Sequence, residues 1–125
     1  MNVGCLIGQK LVNHLMYADD IVLIAPSGAD MHKLLNTWYE FGVPHDVVYN
    51  CSKSVTMSCK SKEMNHLKVP TFMLGSVPLE CVKKVVRYLG HINAEDMTDD
   101  ADIANQNKCL FVRGNMLLGH FTCVL

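Results

Sequence analysis

The sequence lacks any long apolar run. A transmembrane helix is indicated by about 18 uninterrupted apolar residues, and no stretch of this chain approaches that length. The first residues, from Met1 to Cys5, contain no basic side chain, which argues against a secretory signal peptide. Internal repeats and low-complexity segments are also missing. We therefore expect an intracellular protein without a membrane partner, and the sequence does not distinguish the nucleus from the cytoplasm.

Metal-ligand and disulfide spacings are equally scarce. Six cysteines and six histidines are scattered along the 125 residues, and no two cysteines form a CxxC pair. This dispersion argues against a zinc site and favours reduced, buried thiols without a disulfide partner. Hydrophobic residues make up 50% of the chain, which predicts a small folded domain with a core and excludes a disordered tail.

A strong net charge is missing as well, because the formal net charge is −1 at pH 7. The distribution is uneven, however. Residues 51–90 contain seven basic and two acidic residues, a net charge of +5, whereas residues 1–50 and 91–125 each contain two basic and five acidic residues, a net charge of −3. A basic central block is compatible with contacts to phosphate, and equally with a solvated surface.

The most informative feature that is present is the segment Tyr17-Ala18-Asp19-Asp20, which lies between the apolar runs 11–16 and 21–24. Burying an ionised pair costs on the order of several kcal/mol without positive compensation, yet the flanking sequence is strand-forming. A β-hairpin of residues 12–16 and 21–24 with the acids at its tip satisfies both tendencies. Such a pair supplies the hard oxygen ligands that Mg²⁺ takes. The alternative is an ordinary turn whose acids only face water.

A helix is predicted over residues 27–42, immediately after this hairpin. Ser27 is a candidate N-cap, with Asp30 in the capping-box position, and Gly42 is a plausible stop. Apolar residues then recur at helical spacing along one stripe: Met31, Leu34, Leu35, Trp38 and Phe41. We read Trp38 as a core residue of this stripe and not as a stacking platform for bases.

Further strands and a second helix are predicted downstream. Extended chain at 47–49 and a strand at 55–59 flank the segment 50–54, and residues 71–79 predict a hairpin that turns at Gly75-Ser76. A C-terminal helix begins among acids that favour the positive end of the helix dipole, namely Asp99, Asp100 and Asp102. Its apolar stripe is wide enough to need a partner surface; it includes Ile103, Leu110, Leu117 and Phe121.

Three segments, in this order, resemble motifs of one enzyme family. The Tyr17–Asp20 box resembles motif C of reverse transcriptases. The Asn50-Cys51-Ser52-Lys53 block resembles motif D, and the run from Arg87 to Ile92, which contains Tyr88-Leu89-Gly90, resembles motif E of non-LTR, LINE-like retrotransposon enzymes. The resemblance implies an α+β fold, with an antiparallel palm-type sheet (half of a ferredoxin-like fold), a packed helix and a C-terminal helix. Residues 1–92 would be part of the palm, and residues 93–125 the start of the thumb.

The resemblance also implies roles for individual residues in two-metal nucleotidyl transfer. Asp19 would be the Mg²⁺ ligand of the box, with Asp20 adjacent and contributing more weakly, and Lys53 would approach the triphosphate. Residues that would contact the primer or nucleotide are Tyr17, Ala18, Tyr88, Leu89 and Gly90. The implied partners are an RNA template, a DNA primer and a deoxynucleoside triphosphate.

The family's other essential aspartate, in motif A, and its motif B do not fit before residue 17. We therefore expect a fragment of an RNA-directed DNA polymerase whose two-metal site is incomplete, and which is inactive in isolation. Two alternatives stay open at this point. One is a non-catalytic α+β remnant, and the other is a nucleic-acid-binding module that uses the basic block without metal.

Overall fold

The computed structural model describes residues 3–60 and 68–122 of the chain, with ten short strands and two α-helices among them. The predicted α+β class is confirmed. The strands pair as five separate two-stranded ladders, of which four are antiparallel and one is parallel. The described residues therefore form several small sheets instead of one continuous antiparallel sheet.

Two consecutive hairpins open the fold. Strands β1 (Cys5–Ile7) and β2 (Lys10–Val12) form the first, and β3 (His14–Tyr17) and β4 (Asp20–Leu23) form the second. The predicted acid-tipped hairpin is confirmed, but its first strand is His14–Tyr17 and not the predicted 12–16. The apolar run 11–16 is divided at Asn13, whose carbonyl accepts a hydrogen bond from the Ile24 amide at 2.9 Å.

Helix α1 (Gly28–Gly42) follows the second hairpin and begins as predicted. The Ser27 hydroxyl accepts from the Asp30 amide at 3.2 Å and donates to the Asp30 carboxylate at 2.8 Å, which stabilises the first turn. A 3₁₀ turn, Val43–His45, ends the helix, and Asp46 then adopts a left-handed conformation with φ 54°. The chain reverses at this point.

The first compact unit comprises residues 1–56 and 68–81, and its core lies between α1 and a hairpin. Strands β6 (Met73–Leu74) and β7 (Val77–Pro78) form that hairpin around the predicted Gly75-Ser76 turn. Phe72 and Leu79 face each other one step beyond this ladder, joined by a 2.8 Å backbone hydrogen bond. The buried cluster comprises Leu35, Phe72, Leu74 and Leu79, with Leu23, Met31, Tyr49, Cys51 and Val69 packed against it.

The strand predicted at 55–59 is shorter in the structure. Only β5 (Val55–Thr56) is extended and paired, and its partner is β8 (Glu80–Cys81) in a parallel ladder. The Thr56 hydroxyl also donates to the Glu80 carbonyl at 3.2 Å. Residues 47–49, predicted to be extended, pair with no strand among the described residues.

The second unit comprises residues 57–67 and 82–125, of which 57–60 and 82–122 are described. Strands β9 (Val85–Tyr88) and β10 (His91–Ala94) form a hairpin, and helix α2 (Asp100–Thr122) packs against β10. The predicted C-terminal helix is confirmed. Its apolar stripe is uncovered among the described residues, since Leu110 is 69% exposed and Phe111 is 73% exposed.

Two properties bear on partners. No helix in the described part of the chain has the length and apolar character needed to cross a membrane. The five described cysteines are free thiols, but the prediction that they are buried is wrong, since Cys5, Cys51 and Cys81 are half-buried and Cys59 and Cys109 are exposed.

The core of the first unit predicts a position-dependent cost of truncation along α1. Leu35 is 6% exposed, so Leu35→Ala should lower the free energy of unfolding by about 2–5 kcal/mol through lost burial and a cavity. Phe41 lies on the same helix but is 52% exposed, so Phe41→Ala should cost far less. Urea unfolding followed by Trp38 fluorescence measures both, and equal costs would contradict this assignment of the core.

Candidate functional site

The acidic box forms the loop of a tight hairpin. Tyr17 pairs with Asp20, which leaves Ala18 and Asp19 as the two residues between the strands. Ala18 has φ 51°, in the left-handed region that two-residue hairpin loops use and that a β-carbon makes costly. Asp19 therefore lies at the apex and Asp20 at the start of β4. The two carboxylates thus differ in backbone setting, since Asp19 belongs to the loop and Asp20 to a strand.

Both carboxylates of the box are exposed, so they pay no burial penalty. Within the described ranges neither accepts a hydrogen bond or forms an ion pair, and no cluster of three or more potential metal-ligating side chains is found. The flanking strands were expected to be buried. Instead β3 is exposed throughout, with Leu15 at 51% and Met16 at 57%, and only β4 is half-buried on the core. The pair thus fits a Mg²⁺ ion only if water or phosphate supplies the remaining oxygens.

Helix α1 packs against this hairpin. Leu23 of β4 packs against the core, and the His14 ring of β3 meets the Trp38 ring edge-on, with centroids 5.5 Å apart. Trp38 is half-buried, and its ring also lies 6.2 Å from that of Phe41. Trp38 therefore packs against partly exposed rings and lies outside the buried cluster, so the prediction that it is a core residue is not confirmed.

Lys53 lies in a turn that Asn50 organises. The Asn50 side-chain oxygen accepts from the Ser52 hydroxyl at 2.7 Å and from the Lys53 amide at 3.3 Å. The Asn50 carbonyl accepts from the amides of Lys53 and Ser54 at 3.1 and 3.0 Å. An asparagine three residues before a lysine therefore has a structural reason here, because its side chain closes the turn that presents the exposed lysine.

The residues on either side of Asn50 anchor this turn to the core. Tyr49 and Cys51 both pack against the buried cluster, and the Tyr49 hydroxyl donates to the Trp38 carbonyl at 2.8 Å. Burial raises the pKa of the Tyr49 hydroxyl, so this donor keeps its proton at neutral pH. A cavity of about 250 Å³ lies beside them, and its lining includes Tyr39, Val47 and Leu74.

The third predicted segment, Tyr88-Leu89-Gly90, forms the turn of the β9–β10 hairpin in the second unit. Leu89 has φ 49° and Gly90 has φ 82°, the pair of positive angles that a type I′ hairpin loop requires. Tyr88 is half-buried, whereas Leu89 is 48% exposed at the tip. The predicted turn is therefore present, and it presents a leucine to solvent in a strained conformation.

Two residues that hold this turn were not identified from the sequence. The carboxylate of Asp102 accepts from the His91 ring at 2.8 Å and from the Ile92 amide at 2.9 Å, and the Gln106 amide donates to the Gly90 carbonyl at 3.2 Å. The sequence predicts for Asp102 only a favourable interaction with the positive end of the α2 dipole. Its partners are 10 and 11 residues away, a separation for which the sequence carries no periodic signal.

The predicted site residues are divided between the two compact units. The Tyr17–Asp20 box and Lys53 belong to the first unit, and both are supported by the same buried cluster. The Tyr88–Gly90 turn belongs to the second unit, together with the exposed basic residues Lys83, Lys84 and Arg87. A domain boundary after residue 92 stays a prediction.

Comparison with known protein families gives no match, and comparisons with curated proteins and with solved structures give none either.

The Asp102 contacts predict an acid-sensitive attachment of α2. The pKa of Asp102 lies below its ordinary value, chiefly because the His91 ring donates to it and then because the Ile92 amide does. The unfolded chain therefore binds a proton before the folded chain does as pH falls. The stabilisation that Asp102 confers is complete above the unfolded pKa of about 3.9 and is lost as pH falls through the lower folded value.

Acid titration of the unfolding free energy, followed by circular dichroism from about pH 5 to about pH 2, measures this effect. Asp102→Asn should remove the corresponding part of the acid dependence. Asp100→Asn, in the same helical turn, serves as the control. An unchanged acid profile in Asp102→Asn would contradict the assignment.

Proposed function

We propose that this chain is the part of a non-LTR retrotransposon reverse transcriptase that follows motif A, an RNA-directed DNA polymerase acting by two-metal nucleotidyl transfer. The observation that carries the proposal is the acid-tipped hairpin, in which Asp19 occupies the apex of a two-residue loop between strands. An exposed carboxylate on a rigid, closely approachable tip is what a primer end and a metal-bound triphosphate need.

Three further features support the proposal. A capped helix follows the hairpin, an asparagine-closed turn presents Lys53, and a strained hairpin presents Tyr88-Leu89-Gly90 before a long helix. Their order along the chain agrees with motifs C, D and E and the start of a thumb. An antiparallel palm with a ferredoxin-like half belongs to the same proposal.

In this reading each group has a separate task. Asp19 and, more weakly, Asp20 would hold Mg²⁺, and the bound ion would neutralise charge at the transferring phosphate. Lys53, exposed on its turn, faces the triphosphate and donates a proton or a charge-assisted hydrogen bond to the leaving group. Tyr17 and Ala18 flank the primer end, and Tyr88, Leu89 and Gly90 contact the primer backbone. An RNA template, a DNA primer and a deoxynucleoside triphosphate are the partners.

The isolated chain should show no primer extension. Within its described residues two adjacent carboxylates are available at the box and no cluster of three or more potential metal-ligating groups is found, whereas a two-metal site needs enough ligands to hold two ions. A primer-extension assay with Mg²⁺, a DNA primer and an RNA template checks this. Robust extension by the isolated chain would contradict the assignment of an incomplete metal site.

In a complete enzyme that carries this segment, Asp19→Asn should lower the rate at least a hundred- to a thousand-fold, roughly the cost of removing one key electrostatic contact. Asparagine is nearly isosteric but offers a neutral oxygen to the metal. Lys53→Ala should be milder, because water partly replaces a proton donor. Asp46→Asn is the matched control, since Asp46 is exposed in the same unit and its left-handed backbone, with φ 54°, tolerates asparagine.

Single-turnover rates of these variants decide the assignment. If Lys53→Ala were as damaging as Asp19→Asn, or if Asp19→Asn kept a near-normal rate, the box would not be the metal site of a polymerase.

Binding experiments separate the proposal from the two alternatives. Salt-sensitive binding of RNA or DNA that survives the double change Asp19→Asn and Asp20→Asn would favour a metal-independent binding module. A stably folded chain that binds neither metal nor nucleic acid would favour a non-catalytic remnant.

A further inference from the structure

In the turn of the β9–β10 hairpin, Leu89 has both an unfavourable backbone conformation and an exposed apolar side chain. Leu89 adopts φ 49°, a left-handed conformation that costs a side chain with a β-carbon about 1–2 kcal/mol, and asparagine or glycine would adopt it more readily. Leu89 is also 48% exposed, so complete burial does not offset that cost. Strain of this kind persists only where surrounding contacts determine the conformation.

The surrounding contacts come from the first two turns of α2. Asp102 reaches both residues that follow the turn, through the His91 ring at 2.8 Å and the Ile92 amide at 2.9 Å. Gln106, one helical turn later, donates to the Gly90 carbonyl at 3.2 Å and lies 3.5 Å from the Asp102 carboxylate. Three groups in succession, one from each of residues 90, 91 and 92, are therefore held by one helix.

The contact between Asp102 and His91 is made on the face of the hairpin that also carries Tyr88. Tyr88 and His91 are directly opposite in the ladder, and opposed residues share a face of the hairpin. An ionised carboxylate only accepts hydrogen bonds, so the His91 Nδ1 atom donates to Asp102. The Asp102 contact thus orients the His91 ring, although the His91 side chain is 64% exposed.

We infer that Asp102 and Gln106 are positioning residues. Their hydrogen bonds from α2 hold the Tyr88-Leu89-Gly90 turn in the conformation in which it contacts a primer strand. This inference rests on the proposed function, because the primer contact itself belongs to that proposal. The ligand class is a nucleic-acid backbone at a recessed 3′ end, approached by Leu89 and the ring of His91.

The test measures the affinity of the chain for a DNA primer recessed on an RNA template and for the same sequence as a blunt duplex. Asp102→Ala and Gln106→Ala should each lower the preference for the recessed end about tenfold, which corresponds to losing one charge-assisted or well-placed hydrogen bond. Asp100→Ala and Asn107→Ala, exposed neighbours on the same helix, are the matched controls and should retain the preference.

Nuclear magnetic resonance supplies a second readout that is independent of binding. Asp102→Ala should remove the exchange protection of the Ile92 amide and leave the His91 Nδ1 atom without its acceptor, whereas Gln106→Ala should shift the amides that adjoin Gly90. Circular dichroism verifies that α2 is retained. Gln106→Ala removes a single side-chain amide, so it remains informative if Asp102→Ala unfolds the helix.

The possible outcomes are distinguishable. Loss of the recessed-end preference in both variants, with both controls normal, supports the inference. Loss of the Ile92 protection with an unchanged preference overturns it and leaves the proposed function standing. A wild-type chain with no preference for the recessed end means that the proposed primer contact fails, and the positioning role falls with it.

Discussion

The small buried cluster between α1 and the β6–β7 hairpin is the constraint on which the first unit depends. Leu35, Phe72, Leu74 and Leu79 form it, each contributing about 1.5–3 kcal/mol of burial. Leu23 attaches the acid-tipped hairpin to this cluster, and Tyr49 and Cys51 attach the turn that carries Lys53. One core thus supports two segments that lie about thirty residues apart in sequence. Loosening it would release both sets of candidate site residues together.

Both candidate loops place a residue with a β-carbon where glycine or asparagine is easiest. Ala18 has φ 51° in the acidic box, and Leu89 has φ 49° in the second hairpin. In the first case the small side chain keeps the tip accessible next to Asp19. In the second, Asp102 and Gln106 hold the turn from a neighbouring helix. Strained backbone of this kind persists only where the surrounding structure determines the conformation.

Among the described residues, the first hairpins and α2 each expose several large apolar side chains. The first hairpins expose Leu6 at 72% and Leu15 at 51%, and α2 exposes Leu110 at 69% and Leu118 at 64%. Apolar surface of this kind marks contacts with other protein segments. That the stripe of α2 needs a partner surface stays a prediction.

The local elements follow from short-range sequence signals. The Ser27–Asp30 capping box set the start of α1, the Gly75-Ser76 pair set a hairpin turn, and the acids between two apolar runs set the tip at Asp19, because each depends on residues within a few positions of one another. Three features depend on long-range packing instead. Asn13 divides the first apolar run, and β5 pairs in parallel with β8. Asp102 and Gln106 contact the chain at and just after the Leu89–Gly90 turn. Those outcomes depend on contacts between residues 10 to 25 positions apart, which periodicity and propensity do not encode.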